Sequence, residues 1–202
     1  MKQFAPLKGK PLWVHSAKAF ERCPDITSYI IVTNRSRLAA VRKLAERLRL
    51  DKLVAVIPGG ARRSDSVANG LAVLPVKGVV AIHDAARPLL LPEMLSTGIR
   101  ACRRFRAVTF GHPVTDTLKR AKGNRISATV DRAGLIAVQT PQFFDLALLR
   151  RAYDSARDAG IKATDDCALV ERLGVKPVWL PGPRTNIKVT LPEDLRVCAA
   201  LQ

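Results

Sequence analysis

The chain has 202 residues, of which 48% are hydrophobic, and this is enough for one α/β domain with a full core. No apolar run approaches the roughly 20 residues of a membrane span, and the first residues lack the apolar stretch of a secretion signal. The net charge is +17, but the basic residues are spread over the whole chain and only 5% of residues are aromatic. The sequence therefore predicts a cytoplasmic protein without a membrane partner and disfavours nucleic acid as a partner.

Alternating helical and strand patterns occupy the first half of the chain. Apolar residues at helical spacing predict helices at 11–20, 35–50, 65–74 and 92–104, and short apolar runs predict strands at 29–32, 53–57, 79–82 and 107–110. This alternation predicts an α/β fold with a Rossmann-like, doubly wound, mostly parallel sheet. No linker or repeat interrupts it, so residues 1–202 form a single predicted domain.

Residues 113–139 depart from this rhythm and predict a β-hairpin arm that turns at Gly123-Asn124. A long excursion from a compact domain usually contacts something else, often a second subunit, so we expect the arm to make a homodimer. After the arm the pattern predicts a helix at 144–159, a helix capped by residues 164–166 and ending at 174, a strand at 177–180 and a terminal helix from 192.

The strand at 79–82 ends at Asp84, two alanines and Arg87. In open α/β sheets, ligands bind just beyond the carboxyl ends of the strands. There a carboxylate can hold magnesium or a sugar hydroxyl, and a guanidinium can hold a phosphate. A strand that simply ends in a surface turn is the alternative for this segment alone.

Two glycines, Gly59 and Gly60, follow the strand at 53–57 and precede a helix. Glycines in this position let a ligand approach the backbone amides, although they equally serve as a turn.

The remaining candidate residues are cations and hydroxyls, and few are nucleophiles or bases. They are Thr117, Arg132, Thr140, Thr164 and the segment Asn186-Ile187-Lys188-Val189-Thr190. Phosphoryl and nucleotidyl transfer need positioning and charge stabilisation of this kind, with little covalent chemistry from the protein. No GxSxG, HExxH or P-loop pattern is present, and the four cysteines and three histidines lack metal-ligand spacing.

Six motifs in order over essentially the whole chain resemble the 2-C-methyl-D-erythritol 4-phosphate cytidylyltransferase family of the non-mevalonate isoprenoid pathway. They are His83-Asp84-Ala85-Ala86-Arg87-Pro88, Pro113-Val114-Thr115-Asp116-Thr117, Val130-Asp131-Arg132, Thr140-Pro141-Gln142-Phe143-Phe144, Thr164-Asp165-Asp166 and Asn186-Ile187-Lys188-Val189-Thr190. Gly59-Gly60 with Arg63 and Asp65-Ser66-Val67 is similar to the base-binding segment of the family.

The resemblance implies a Mg²⁺-assisted attack of a methylerythritol phosphate oxygen on the α-phosphate of CTP, with the metal bound mainly through the CTP phosphates. It implies that Lys2 and Lys188 neutralise the growing charge, and that Asp84 and Arg87 orient ribose, metal and substrate. The other implied roles are sugar-phosphate binding by Thr140 and Thr164, the same role in the other subunit for Thr117 and Arg132, and nucleotide binding by Gly59, Gly60 and Ser66.

Taken singly, most of these residues have simpler interpretations. Thr164 is a good helix cap, Lys188 could be a surface lysine, and Thr140-Pro141 could be a plain turn. Only their joint order favours the functional interpretation.

The chain also departs from the family pattern. Members of the family begin with a strand and a glycine-rich, arginine-bearing loop before a Pro-Lys-Gln segment, whereas this sequence starts at Met1-Lys2-Gln3. We therefore expect a truncated chain with unpaired strand edges and without the amides that cradle the β- and γ-phosphates. The alternatives are a cytidylyltransferase for another polyol phosphate such as ribitol 5-phosphate, a non-catalytic basic homologue, or one half of a fused isoprenoid-pathway enzyme.

Overall fold

The computed structural model describes residues 2–75, 77–161 and 164–202. The helices are α1 (Leu12–Arg22), α2 (Leu38–Arg47), α3 (Arg63–Ala72), α4 (Pro92–Phe105), α5 (Leu146–Asp158), α6 (Asp166–Glu171) and α7 (Pro192–Ala200). The strands are β1 (Pro6–Leu7), β2 (Lys10–Pro11), β3 (Tyr29–Thr33), β4 (Leu53–Pro58), β5 (Val79–Ile82), β6 (Ala107–Pro113), β7 (Leu118–Lys122), β8 (Arg125–Val130), β9 (Ile136–Asp145) and β10 (Val178–Pro181). Short 3-10 turns lie at Lys2–Phe4 and Arg35–Arg37.

The main sheet has four strands in the order β10-β6-β9-β5. Strand β10 runs parallel to β6, while β9 runs antiparallel to both β6 and β5. Three of the four strands therefore point in one direction and β9 alone is reversed, so the α/β fold class is confirmed.

Strands β3 and β4 form a separate parallel pair. Within the described residues β3 pairs only with β4 and β5 only with β9, so the sheet is interrupted between β3 and β5. Ile31 of β3 and Ala81 of β5 nevertheless pack against the same hydrophobic cluster. Alternation of helices and strands predicts one continuous sheet, and it contains no information on which strands hydrogen-bond.

Helices cover both faces of the main sheet, as the doubly wound prediction requires. Phe143 and Val108 face a cluster with α1, α2 and α4, whereas Phe144 and Ala107 face a second cluster with α5 and α6. Successive strand residues point to opposite faces, and both faces here are apolar because both are covered.

Strand β9 is the long element that the sequence patterns do not predict, and the two-residue strands β1 and β2 are missed as well. It contains Pro141, which lacks an amide hydrogen and is rare in central strands. The register between β6 and β9 shifts between Thr109 and Gly111, so Gln139, Thr140 and Pro141 lie opposite Phe110 alone. This β-bulge accommodates the proline and turns Thr140 out of the regular ladder.

Several predicted boundaries move for local reasons. The helix predicted from residue 144 begins at Leu146, because Phe144 belongs to β9 and Asp145 caps α5 by accepting from the amide of Leu148 at 2.9 Å. The helix predicted at 35–50 starts with a 3-10 turn, and α2 ends at Arg47.

The excursion at 113–139 forms a hairpin of β7 and β8 that continues outward from β6 and β9. Its side chains are largely exposed, including Ile126 at 67%. A role of this arm in dimerisation stays a prediction.

The four cysteines are free and buried in different parts of the core. Cys23 and Cys102 belong to the cluster under α1 and α4, Cys167 to the cluster under α5, and Cys198 to a third cluster that joins α7 to β1. Burial raises the pKa of Cys102 to about 12. No helix in the described residues combines the length and apolar character needed to cross a membrane.

Candidate functional site

The carboxylate of Asp84, just beyond the end of β5, is the centre of the site. Its Oδ2 lies 2.7 Å from Nζ of Lys188, and its Oδ1 accepts from Nε of Arg63 at 3.1 Å. Arg63 is the first residue of α3, and Lys188 lies in the irregular segment before α7. Three separate parts of the chain therefore meet at the strand end where the sequence predicts a ligand site.

Burial alone would raise the pKa of Asp84. The hydrogen bond from Lys188 and the charge of Arg63 outweigh this effect and lower the pKa to about 2. Asp84 is therefore ionised at neutral pH, and it holds the Lys188 ammonium group close to the strand end.

The β-bulge brings Thr140 to the same point. Its Oγ1 accepts a hydrogen bond from the backbone N–H of Asp84 at 3.0 Å and lies 3.3 Å from Nδ1 of His83. Nε2 of His83 lies 3.2 Å from the carbonyl oxygen of Arg87. Burial lowers the pKa of His83 to about 4, so the ring is neutral at pH 7 and serves as a support.

The guanidinium group of Arg87 makes one hydrogen bond to the backbone, and another of its N–H groups has no partner among the described residues. Its Nη1 donates to the carbonyl oxygen of Asn186 at 2.6 Å, while its Nε is buried and has no partner among the described residues. Burial lowers the pKa of Arg87. A buried guanidinium donor without an acceptor is costly.

Gly59 and Gly60 form a tight loop ahead of α3, and this loop packs against Ser66 in the first turn of the helix. Oγ of Ser66 accepts from the amide of Gly60 and donates to the carbonyl oxygen of Arg62, both at 3.1 Å. A Cβ atom on Gly59 would lie 2.7 Å from Oγ of Ser66, and one on Gly60 would lie 2.3 Å from Cβ of Asp65. Close packing of the loop against the helix start therefore requires both glycines, whether or not a ligand binds.

Asp166 is a functional candidate that the sequence analysis treats only as part of a helix cap. In the structure Asp165 is the cap of α6 and accepts from the amide of Ala168 at 3.0 Å. Asp166 instead accepts from Nη2 of Arg63 at 2.8 Å and from the Tyr153 hydroxyl at 2.5 Å. A second acid beside the cap is the signal that could have identified it, because only one side chain of the pair can serve as the cap.

Thr164 lies near this ion pair. It lines, together with Arg63 and Asp166, an open pocket of about 420 Å³ between α3 and α5. Its side chain is exposed, so its hydroxyl is available to a ligand.

The remaining predicted residues lie apart from the Asp84 cluster. Thr117 and Arg132 are exposed on the arm, where Nη1 of Arg132 donates to the carbonyl oxygen of Thr115. In the part of the chain that the structure describes, neither makes a hydrogen bond or ion pair with Asp84 or Lys188.

Lys2 lies on the same side of the molecule as the Lys188 segment. Ala5, Ile187 and Val189 pack in one cluster, which brings the N-terminal turn to that segment. Hydrogen bonds from Leu191 and Thr190, with a smaller contribution from the charge of Lys2, lower the pKa of Asp194.

A metal held by the protein alone would need several ligands. Among residues 2–75, 77–161 and 164–202, no group of three or more His, Cys, Asp or Glu side chains could hold one. Asp84 is the carboxylate at the predicted site, and both of its oxygens face cations. This arrangement fits a metal that is carried by a phosphate ligand better than one bound by the protein alone.

Known proteins match this chain over almost its whole length. A sequence model of the 2-C-methyl-D-erythritol 4-phosphate cytidylyltransferase family matches residues 1–201. The protein of that name from Geobacillus kaustophilus is 40% identical over 200 residues, which cover 99% of this chain and 88% of that protein. The crystal structure of the Thermus thermophilus protein of that name is 30% identical, covers 99% of this chain and 93% of its own, and has a TM-score of 0.83. A second crystal structure, titled 4-diphosphocytidyl-2C-methyl-D-erythritol synthase, is 33% identical, covers 99% of this chain and 94% of its own, and has a TM-score of 0.87.

Proposed function

The chain belongs to the 2-C-methyl-D-erythritol 4-phosphate cytidylyltransferase family, and on this premise we propose that it transfers a cytidylyl group from CTP to 2-C-methyl-D-erythritol 4-phosphate in isoprenoid precursor synthesis. A phosphate oxygen of the sugar alcohol attacks the α-phosphorus of CTP and forms the new P–O bond. The bond between the α-phosphorus and the bridging oxygen breaks, and pyrophosphate leaves.

The ion pair between Lys188 and Asp84, 2.7 Å long at the end of β5, is the observation that carries this proposal. It presents a half-exposed ammonium group where the reacting phosphate would lie. We assign to Lys188, with Lys2, the neutralisation of charge that grows on the α-phosphate. Preorganised cations of this kind stabilise the transition state without any reorganisation at the moment of reaction.

The sugar phosphate is assigned to the surrounding polar groups. Asp84 and Arg87 would orient it, while Thr140 and Thr164 would complete the pocket. Thr117 and Arg132 would be contributed by the arm of a second copy of the chain, which makes the active protein a homodimer.

The loop of Gly59 and Gly60, with Ser66, is assigned to the nucleotide. Its hydrogen bond between the Gly60 amide and the Ser66 hydroxyl is exposed to solvent. A cytosine edge offers donors and acceptors that can exchange with both groups. Since both substrates are intracellular metabolites, we assign the enzyme to the cytoplasm.

Mg²⁺ is assigned as the cofactor, bound mainly through the CTP phosphates, with Asp84 as the carboxylate that could reach it. When bound, it would withdraw negative charge from the phosphate oxygens and favour departure of pyrophosphate.

The test is pyrophosphate release from CTP with 2-C-methyl-D-erythritol 4-phosphate and Mg²⁺, run beside ribitol 5-phosphate in the same buffer. We expect release with the methylerythritol phosphate and at least about a hundredfold lower kcat/KM with ribitol 5-phosphate. The reverse preference would move the assignment to another polyol phosphate. A folded protein that releases no pyrophosphate with either compound would contradict the proposal.

A further inference from the structure

An unbroken series of hydrogen bonds and ion pairs runs from the core to the Lys188 ammonium group. The Tyr153 hydroxyl donates to Oδ1 of Asp166, and Oδ2 of Asp166 accepts from Nη2 of Arg63. Nε of Arg63 then donates to Asp84, whose other oxygen holds Lys188. Five parts of the chain are connected in this way, namely helices α3, α5 and α6 and the two loops that contain Asp84 and Lys188.

The acids of the series are more buried than its cations. The side chains of Asp166 and Asp84 are 1% and 16% exposed, whereas those of Arg63 and Lys188 are 36% and 41% exposed. A buried carboxylate is stable only when it is paired and hydrogen-bonded, and both oxygens of Asp166 have partners. The Gln142 side chain also accepts from the backbone amide of Asp166 at 3.3 Å. The Asp166 end of the series is therefore fixed by the core, and the Lys188 end lies where the proposed substrate binds.

Arg63 is suited to join the two ends because its guanidinium group is a rigid, planar fork. It uses Nη2 for Asp166 and Nε for Asp84, in contacts of 2.8 Å and 3.1 Å. A lysine has a single ammonium centre and could not reproduce this planar fork.

We infer that Asp166, Tyr153 and Arg63 are positioning residues that set the place of Asp84 and, through it, of the Lys188 ammonium group. The inference rests on the proposed function and assigns to this reaction a role for three residues that do not touch the reacting atoms. Arg63 begins the helix after the nucleotide loop, and Asp166 begins the helix after Thr164. The pair therefore also fixes the nucleotide side of the site relative to the sugar-phosphate side.

The experiment compares steady-state kinetics of the wild-type chain with Asp166→Asn, Arg63→Lys and Tyr153→Phe. The matched control is Asp158→Asn, the same change in an exposed pair with Arg157, on the same helix as Tyr153. We expect KM for the methylerythritol phosphate to rise and kcat per active site to fall, each by about tenfold or more in the first two variants and by about threefold in Tyr153→Phe, which loses one hydrogen bond. The control should stay within about twofold of the wild type.

A second measurement separates positioning from folding. The stoichiometry of CTP binding by calorimetry gives the active fraction, and a purely structural role would lower this fraction while leaving KM unchanged. If Asp166→Asn does not fold, Arg63→Lys provides the test, because residue 63 is half-exposed and lysine keeps the positive charge of arginine. Wild-type KM values in Arg63→Lys and Tyr153→Phe would overturn this inference and leave the proposed function intact. A wild-type chain without activity would overturn the proposed function and the inference with it.

Discussion

At the scale of single residues, Lys188 is a surface lysine whose ammonium group an ion pair fixes in one place. Its ammonium group is half-exposed, yet Asp84 holds it within 2.7 Å of a carboxylate that stays ionised. A lysine without such a partner would distribute its charge over many rotamers.

We predict that Lys188→Ala lowers kcat of pyrophosphate release by about 10²–10³-fold, as for other removed transition-state donors. Lys43→Ala, in an exposed position on α2, is the control and should leave kcat unchanged. Near-normal turnover of Lys188→Ala would remove Lys188 from the site.

His83 leads to a prediction on stability and pH. Its pKa lies near 4 in the folded protein and near 6.5 in the unfolded chain, so the unfolded chain binds the proton more readily. This contribution to stability is complete above about pH 6.5 and is lost as the pH falls to about 4, with a magnitude of about 2–3 kcal/mol. Urea unfolding of the wild type and His83→Gln between pH 7.5 and 4 should give a shallower pH dependence for the variant. Equal slopes for the two proteins would contradict the burial of a neutral His83.

At the scale of secondary-structure elements, the contact between α4 and β9 requires a glycine. A Cβ atom on Gly98 would lie 2.1 Å from the ring of Phe143, which is fully buried. On α3, by contrast, a Cβ atom on Gly70 would lie 3.5 Å from Val32, an ordinary contact.

We therefore predict that substitution by alanine has opposite effects on stability at these two helical glycines. Gly98→Ala should destabilise the protein by about 1–3 kcal/mol through overpacking. Gly70→Ala should be neutral or stabilise it by about 0.5–1 kcal/mol, since alanine favours the helix. Thermal and urea unfolding of both variants measures the change in the free energy of unfolding. Destabilisation of similar size in both variants would show that packing at Gly98 is not the cause.

Sequence patterns predict elements with a clear period and miss those whose partners are distant. Strand β5 and helix α4 lie where the apolar spacing predicts them, because each signal is local. Strand β9 is missed because a proline such as Pro141 normally indicates the end of a strand. Only the β-bulge opposite Phe110 makes the proline acceptable in a central strand.

The same reasoning applies to the candidate site. Asp84 is predictable, since it lies two residues beyond the apolar run of β5, and the structure adds its partners Arg63 and Lys188. The sequence can mark Asp166 only as an acid left over beside the cap, and its partner is not predictable because 103 residues separate it from Arg63.

At the scale of the whole molecule, the arm of β7 and β8 is an exposed hairpin that carries residues assigned to a site in another copy. If Arg132 acts in a second subunit, Lys188→Ala and Arg132→Ala disable different halves of one shared site. A mixed dimer then keeps one complete site of two.

We therefore predict that co-expression of Lys188→Ala and Arg132→Ala restores about a quarter of wild-type activity, as random pairing in a twofold dimer requires. Each variant alone should be nearly inactive, and sedimentation at micromolar concentration should show a dimer. Absence of recovery in mixed dimers would indicate that Arg132 serves its own subunit or none. Only monomer in sedimentation would contradict the dimer itself.

The distribution of the buried thiols gives the protein an internal reporter of local opening. Cys102, Cys167 and Cys198 lie in three different hydrophobic clusters, and a thiol reagent reaches each one only when its cluster opens. Peptide-resolved labelling rates would thus rank the free energies of opening of the three regions without any added probe. If the molecule opens only as one unit, the rates will agree after correction for the intrinsic reactivity of each thiol. If α7 detaches first, Cys198 will label ahead of the other two.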